Sequence, residues 1–227
     1  MHTQKRRLFM IPAALIVVAL AVFLTGQSAF MGPLYQQGES ASFRYTIQGQ
    51  RNGSLYVNIS VNFDDPDSLQ KYMEANRQRG RTLVNKGQSP IPIRVTFVRP
   101  LHLSEAREFI RETGLHVSSF AMVGRSSLNG RKGFHVELSS VDKEMPAALN
   151  VDPTGQGERL VLRGVMVLYG EIQNPQGLAR LLADERVYLA DTSEVEVREL
   201  LAQRHASVVA GKELVVSVPS PFWKLDW

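Results

Sequence analysis

Cysteine is absent from this chain of 227 residues, and that removes two things at once. No disulfide staples the fold, and no cysteine-linked lipid holds the chain on a membrane. Stability must come from an apolar core, and the roughly 190 residues after the first apolar run suffice for one domain or two small ones. A strong charge of one sign is also missing. The net charge of +4 invites a nucleic-acid reading, but Lys5, Arg6 and Arg7 are three of the 26 Lys and Arg, and without them 23 face 22 Asp and Glu. Basic clusters such as Arg77-Gln78-Arg79-Gly80-Arg81 are short and carry no interleaved aromatic side chains on which bases would stack. Nucleic acid is therefore not expected as a partner.

Recognisable catalytic motifs are lacking as well. The chain has no Gly-x-Ser-x-Gly elbow, His-Glu-x-x-His pair or P-loop, and Gly155-Gln156-Gly157 lacks the third glycine of a dinucleotide fingerprint. Two Ser-x-x-Lys matches, Ser68 to Lys71 and Ser140 to Lys143, stand without a Lys-Thr-Gly. His102, His116, His135 and His205 are dispersed, with no i, i+4 pair to hold a metal. Asp64-Asp65-Pro66-Asp67 lacks the layout of a calcium loop and reads as a helix cap. Asn52-Gly53-Ser54 and Asn58-Ile59-Ser60 are glycosylation sequons, meaningful only in a eukaryotic secretory route. No catalytic, cofactor-binding or metal-binding residue is expected.

What is present is a run of nineteen uncharged residues, 8–26, directly after Lys5, Arg6 and Arg7. As a helix rising about 1.5 Å per residue it spans a hydrocarbon core of roughly 30 Å. The positive cluster keeps residues 1–7 in the cytoplasm and sends the rest across. The rival is a cleaved secretory signal, but the run is longer than such a segment and Gly26-Gln27-Ser28 is a poor cleavage site. The expected location is the cell membrane, with a single-pass signal anchor in the lipid bilayer and an extracytoplasmic C-terminal part.

Residues 27–41 read as a linker. A hairpin follows, 42–48 and 54–63, in which Leu55, Val57, Ile59, Val61 and Phe63 alternate with polar residues. Asp65-Pro66-Asp67 opens a helix that Gly80 is expected to stop, with 81–92 a loop, so that 42–92 forms a hairpin-plus-helix unit. Residues 93–98 read as a strand, and a helix capped by Ser104 has Ala106, Phe109 and Ile110 inward and Gly114 at its end. Strands are expected at 115–123, 133–139 and 159–172, with an Asn129-Gly130 turn and a Pro/Gly-rich loop at 140–158. Asn174-Pro175 starts a helix with Leu178, Leu181 and Leu182 inward, and 187–190 is a strand. Ser193 and Glu196 form a capping box for a last helix, with Val197, Leu200 and Leu201 inward, before a strand at 213–218. The fold class expected is α+β: a transmembrane helix, the added hairpin and helix, and a ferredoxin-like βαββαβ domain within 93–218.

The series Ile93-Arg94-Val95-Thr96-Phe97, the helix ending at Gly114, Leu128-Asn129-Gly130, Gly133-Phe134-His135-Val136-Glu137-Leu138-Ser139, and Leu181-Leu182 through Asp191 resembles the propeptide/inhibitor domain of subtilisin-type proteases. The resemblance covers residues 93–191. It implies a βαββαβ fold and action as a chaperone or inhibitor of a protease.

Both tryptophans fall in the last five residues, in Pro219-Ser220-Pro221-Phe222-Trp223-Lys224-Leu225-Asp226-Trp227. Two prolines forbid regular ladder pairing, so 219–227 is expected to be an extended arm. Phe222, Trp223 and Leu225 either fold back over an open side of the sheet or, with Trp227, leave Phe222, Trp223 and Trp227 to bind a partner or the membrane surface. The function expected is interaction or regulation through an envelope protein partner. An extracytoplasmic hydrolase with an unrecognised Ser-Lys or Ser-His site, and a structural envelope component, are the alternatives.

Overall fold

The computed structural model describes residues 34–50, 52–126, 130–138 and 160–225. The anchor segment 8–26, the turn residue Asn129, the whole loop 140–158 and Trp227 lie outside them. Among the described residues no helix is long and apolar enough to cross a membrane. The architecture is mixed α+β, with two sheets.

The first sheet grows from the hairpin. β1 (Leu34–Glu39), β2 (Arg44–Gly49) and β3 (Leu55–Ser60) pair antiparallel in succession. Period-two alternation puts Tyr45 and Ile47 of β2 and Leu55, Val57 and Ile59 of β3 on the buried face. The fourth strand is β9 (Leu214–Ser217), which runs parallel to β3 with Leu55 opposite Leu214. Division of the chain at residue 92 therefore separates strands that the hydrogen bonds join.

α1 (Pro66–Lys86) begins as the sequence indicates, with the Asp65 carboxylate accepting from the Asp67 and Ser68 amides at 3.3 Å. It does not stop at Gly80. The stop is Gly87, at φ +64°, whose amide donates to the Leu83 and Val84 carbonyls. Gly80 is buried instead because the helix meets Leu182 there, on α3 (Pro175–Ala183). A Cβ at position 80 would lie 2.9 Å from Leu182 Cδ1, the tip of a flexible side chain. Gly80→Ala gains up to about 1 kcal/mol of helix propensity against that small displacement. It should leave stability within about 1 kcal/mol of the parent, whereas Gly80→Phe should lower the urea midpoint sharply.

The second sheet contains β4 (Ile91–Leu101), β5 (Leu115–Ser126), β6 (Gly130–Glu137), β7 (Leu160–Ile172) and β8 (Val187–Asp191), in the order β6-β5-β7-β4-β8. Every neighbouring pair is antiparallel. α2 (Leu103–Thr113) links β4 to β5, and α3 links β7 to β8, so the helices connect strands that each have another strand between them. α2 starts at Leu103, with the Glu105 carboxylate accepting from the His102 amide at 2.9 Å, and ends at Gly114 with φ +67°. Ser104 is thus inside the helix and not its cap. The core under these helices includes Phe97, Phe109, Leu168, Leu178 and Leu181.

β8 is the seam between the two sheets. Its alternation sends Ala190 into the core beneath α2 and α3, and Leu189 into the other core with Tyr45, Val57 and Tyr72. α4 (Ser193–Arg204) adds Val197 and Leu201 to that second core. The short α5 (Ala206–Val209) follows and leads back to β9.

Candidate functional site

The most concentrated polar chemistry lies at this seam, where α1 meets the β8–α4 corner. Tyr72, on the buried face of α1, has its ring edge-on to Phe43 and Phe63 with centroids 6.4 and 5.9 Å away. Its hydroxyl reaches past them to Asp191 Oδ2 at 2.6 Å and Ser193 Oγ at 2.9 Å. Asp191 Oδ1 accepts from the Ser193 amide at 2.9 Å and from the Ser193 hydroxyl at 2.6 Å. Tyr72 has one hydroxyl hydrogen, so its contacts with Asp191 and Ser193 form a three-centre arrangement. Burial, first, and then the neighbouring Asp191 carboxylate hold the Tyr72 hydroxyl well above its ordinary pKa. In the seam the Tyr72 hydroxyl acts as the donor to these two partners.

One turn along α1, Asn76 continues the network. Its Oδ1 accepts from the Thr192 amide at 2.8 Å and from Arg79 Nη1 at 3.0 Å, while its Nδ2 donates to the Tyr72 carbonyl at 3.1 Å. Arg79 forms an ion pair with Glu196 of α4. Burial lowers the Arg79 pKa, opposed by the charge of Asp191. Tyr72, Asn76, Thr192 and Ser193 are fully buried and Asp191 is 3 % exposed, so no substrate reaches this serine. The arrangement satisfies buried polar groups and fastens α1 to the second sheet. It also explains why Ser193 does not cap α4: its hydroxyl is committed to Asp191, and Thr192 takes the cap position.

The second feature is the C-terminal segment. The chain leaves β9 through Val218, whose carbonyl accepts from Arg94 Nη1. Arg94 is opposite Asp191 across the β4–β8 ladder and stacks its guanidinium 4.7 Å from the centre of the Tyr169 ring. A 3₁₀ turn at Pro221–Lys224 then folds over the face of the second sheet away from α2 and α3. Phe222 is buried there with Ala121, Val123, Met166 and Val167, and Leu225 packs at the edge of the same cluster. The arm is thus a docked turn and not an extended strand. Pro221, at the first position of the turn, is pre-set for it. Trp223 lies over Gly133 of β6 and stays 49 % exposed. Of the three aromatic candidates, Phe222 is core, Trp223 is surface, and Trp227 is outside the described residues.

The dispersed residues stay dispersed. His102 and His116 are exposed, His135 is edge-on to Tyr169 at 5.2 Å, and His205 Nε2 lies 3.1 Å from the Tyr45 hydroxyl. Ser68 donates to Asp65 at 2.6 Å within the helix cap, which accounts for that Ser-x-x-Lys match; the other lies outside the described residues. Asn52 accepts from the Ser54 amide in its own turn, and Asn58 projects from the exposed face of β3. Among the described residues no three His, Asp or Glu are placed to hold a metal ion. A groove of about 1170 Å³ is lined by Arg107, Glu108, Arg111, His116, Glu171 and Glu194, charges of both signs that favour no single class of small ligand. Comparison with protein-family models, with curated proteins and with solved structures finds no match.

Proposed function

We propose that this chain is a single-pass membrane protein that presents a ferredoxin-like α+β body outside the cytoplasm as an interaction or regulatory module. The observation that carries this reading is the uncharged run 8–26 immediately behind Lys5-Arg6-Arg7. The strand order β5-β7-β4-β8 with crossovers α2 and α3 supports the ferredoxin-like description, with β6 added at the edge next to β5. The near-balance of charge after residue 7 and the buried, structural use of the Tyr72–Asp191–Ser193 group favour recognition of a protein over catalysis. The resemblance of 93–191 to the propeptide/inhibitor domain of subtilisin-type proteases makes an envelope protease the first partner class to test.

Two measurements decide the reading. A reporter active only outside the cytoplasm should work when fused after Trp227, and protease added to spheroplasts should leave a fragment of about 30 residues. Activity of a cytoplasmic reporter at that position sinks the topology. Cross-linking in native membranes should capture one stoichiometric protein partner, whereas covalent labelling of the chain by a serine-reactive probe would replace the module with a hydrolase.

A further inference from the structure

The turn between β2 and β3 carries chemistry that neither strand needs. Gly49 pairs with Leu55 at the end of the ladder. Beyond it the Gln50 amide donates to the Ser54 carbonyl at 2.9 Å, and the Gly53 amide to the Gln50 carbonyl at 3.1 Å. Gly53 has φ +85°, where a side chain is strained, and this is why a glycine follows Asn52. The same glycine leaves the amide nitrogen after the asparagine without a Cβ beside it, and both residues are exposed.

The Asn52 side chain is held by its oxygen. Oδ1 accepts from the Ser54 amide at 3.0 Å and from the Ser54 hydroxyl at 2.7 Å. A backbone amide can only donate, so the atom facing it is the oxygen, and Nδ2 is left without a partner among the described residues. Ser54 is only 4 % exposed, so the fold fixes both donors. Its hydroxyl hydrogen is shared with Gln50 Oε1 at 2.9 Å and can pass wholly to Oδ1 as charge gathers there. Two close donors on one carbonyl oxygen, with the leaving nitrogen in solvent, form the arrangement that stabilises a tetrahedral oxyanion.

We infer that Asn52 is a self-modifying site, at which this turn converts asparagine to aspartate and isoaspartate through a succinimide. Hydroxide takes the Gly53 amide proton, the nitrogen's electron pair forms a bond to Asn52 Cγ, and the carbonyl π pair moves onto Oδ1 between the two Ser54 donors. Collapse of this oxyanion breaks the Cγ–Nδ2 bond, and the nitrogen takes a proton from water and leaves as ammonia, which regenerates the hydroxide. Water then opens the ring. Addition at Cγ gives aspartate, whereas addition at the Asn52 main-chain carbonyl gives isoaspartate, with the chain routed through the side chain. The net change is asparagine and water to an acid and ammonia, with no redox partner. The Gly53 amide must first leave the Gln50 carbonyl, which is a local opening of one exposed turn and not an unfolding of the sheet. The product places a carboxylate at the hairpin tip. As isoaspartate it also adds a chain atom to a turn whose length sets the β2–β3 register.

The test incubates the purified full chain in detergent and heavy-oxygen water, at mildly acidic and mildly alkaline pH. Tandem mass spectrometry reads position 52 and separates it from Asn129-Gly130. Both products should appear, each carrying heavy oxygen, and faster as hydroxide rises. Ser54→Ala removes the hydroxyl donor and should slow the folded chain by about tenfold or more. In urea, where the turn is lost, parent and variant should convert alike. Independently of any variant, the folded parent should convert at least as fast as the parent in urea. An Asn52 that stays intact in the folded chain while the unfolded chain converts overturns the proposal, because the turn then protects its asparagine. Equal rates for folded Ser54→Ala and folded parent overturn it as well, and so does aspartate without isoaspartate, the mark of direct hydrolysis.

Discussion

Phe109→Ala lowers the unfolding free energy by about 3–5 kcal/mol, a large part of the 5–15 kcal/mol typical of a folded chain. Phe109 is completely buried on α2 and meets Phe97 of β4 edge-on, with centroids 5.0 Å apart at 87°. On its other side the Arg186 guanidinium stacks 5.1 Å from the ring centre, held in place by Asp184 at 2.6 Å and Glu112 at 2.7 Å. Truncation therefore removes the transfer energy of the ring, an aromatic pair and a cation–π contact at one stroke. The cavity cannot collapse readily, because Phe97 is fixed in a central strand. His135→Ala is the control. That side chain is exposed and makes a single ring contact, so its loss should cost less than about 1.5 kcal/mol. Urea unfolding of the purified chain, followed by pulse proteolysis, reads both. Equal midpoints for Phe109→Ala and the parent would mean that the buried face of α2 has been misassigned.

Asp191→Ala comes next in size. The substitution strips acceptors from the Tyr72 hydroxyl, the Ser193 hydroxyl and the Ser193 amide, all inside the seam. A stranded buried donor costs about 1–3 kcal/mol, and the two hydroxyls, 2.9 Å apart, can partly re-pair with each other. The expected loss is about 3–5 kcal/mol, made worse for Arg79, whose buried charge Asp191 helps to stabilise. Tyr72→Phe removes a single hydroxyl and should cost about 1–1.5 kcal/mol. A double-mutant cycle over Tyr72→Phe and Asp191→Asn should give a coupling above about 0.5 kcal/mol. Near-parental stability of Asp191→Ala would show that the network is dispensable and that apolar packing alone joins the two sheets.

The parts of the fold that local chemistry determines were legible in the chain. Alternation through Leu55, Val57 and Ile59 marks β3, Asp65-Pro66 and Asn174-Pro175 mark helix starts, and Gly114 marks a helix end. The parts that depend on a distant partner were not. A glycine in a helical pattern signals either a left-handed cap or a close approach, and Gly80 is the second only because Leu182 packs on it from α3. That ambiguity made residues 81–86 look like loop, whereas they complete α1. Likewise Ser193 and Glu196 have capping-box spacing, yet the Ser193 hydroxyl turns back to an Asp191 that already holds Tyr72 from 119 positions away. The tail divides the same way. Its apolar character was visible, but burial of Phe222 beside an exposed Trp223 depends on the space over Gly133.

The parallel pairing of β3 with β9 also sets a timetable. Leu55 finds Leu214 only after 159 further residues have been made, which at 5–20 residues per second takes roughly 8–32 s. Throughout that interval the outer edge of β3 has no strand beside it, and for most of it the face carrying Val57 and Ile59 also lacks Val197 and Leu201. The sheet begun first is thus the last to close. Such long-range closure slows folding, and it makes every chain interrupted before residue 214 a species with an open, apolar strand edge, prone to pair with another of its kind.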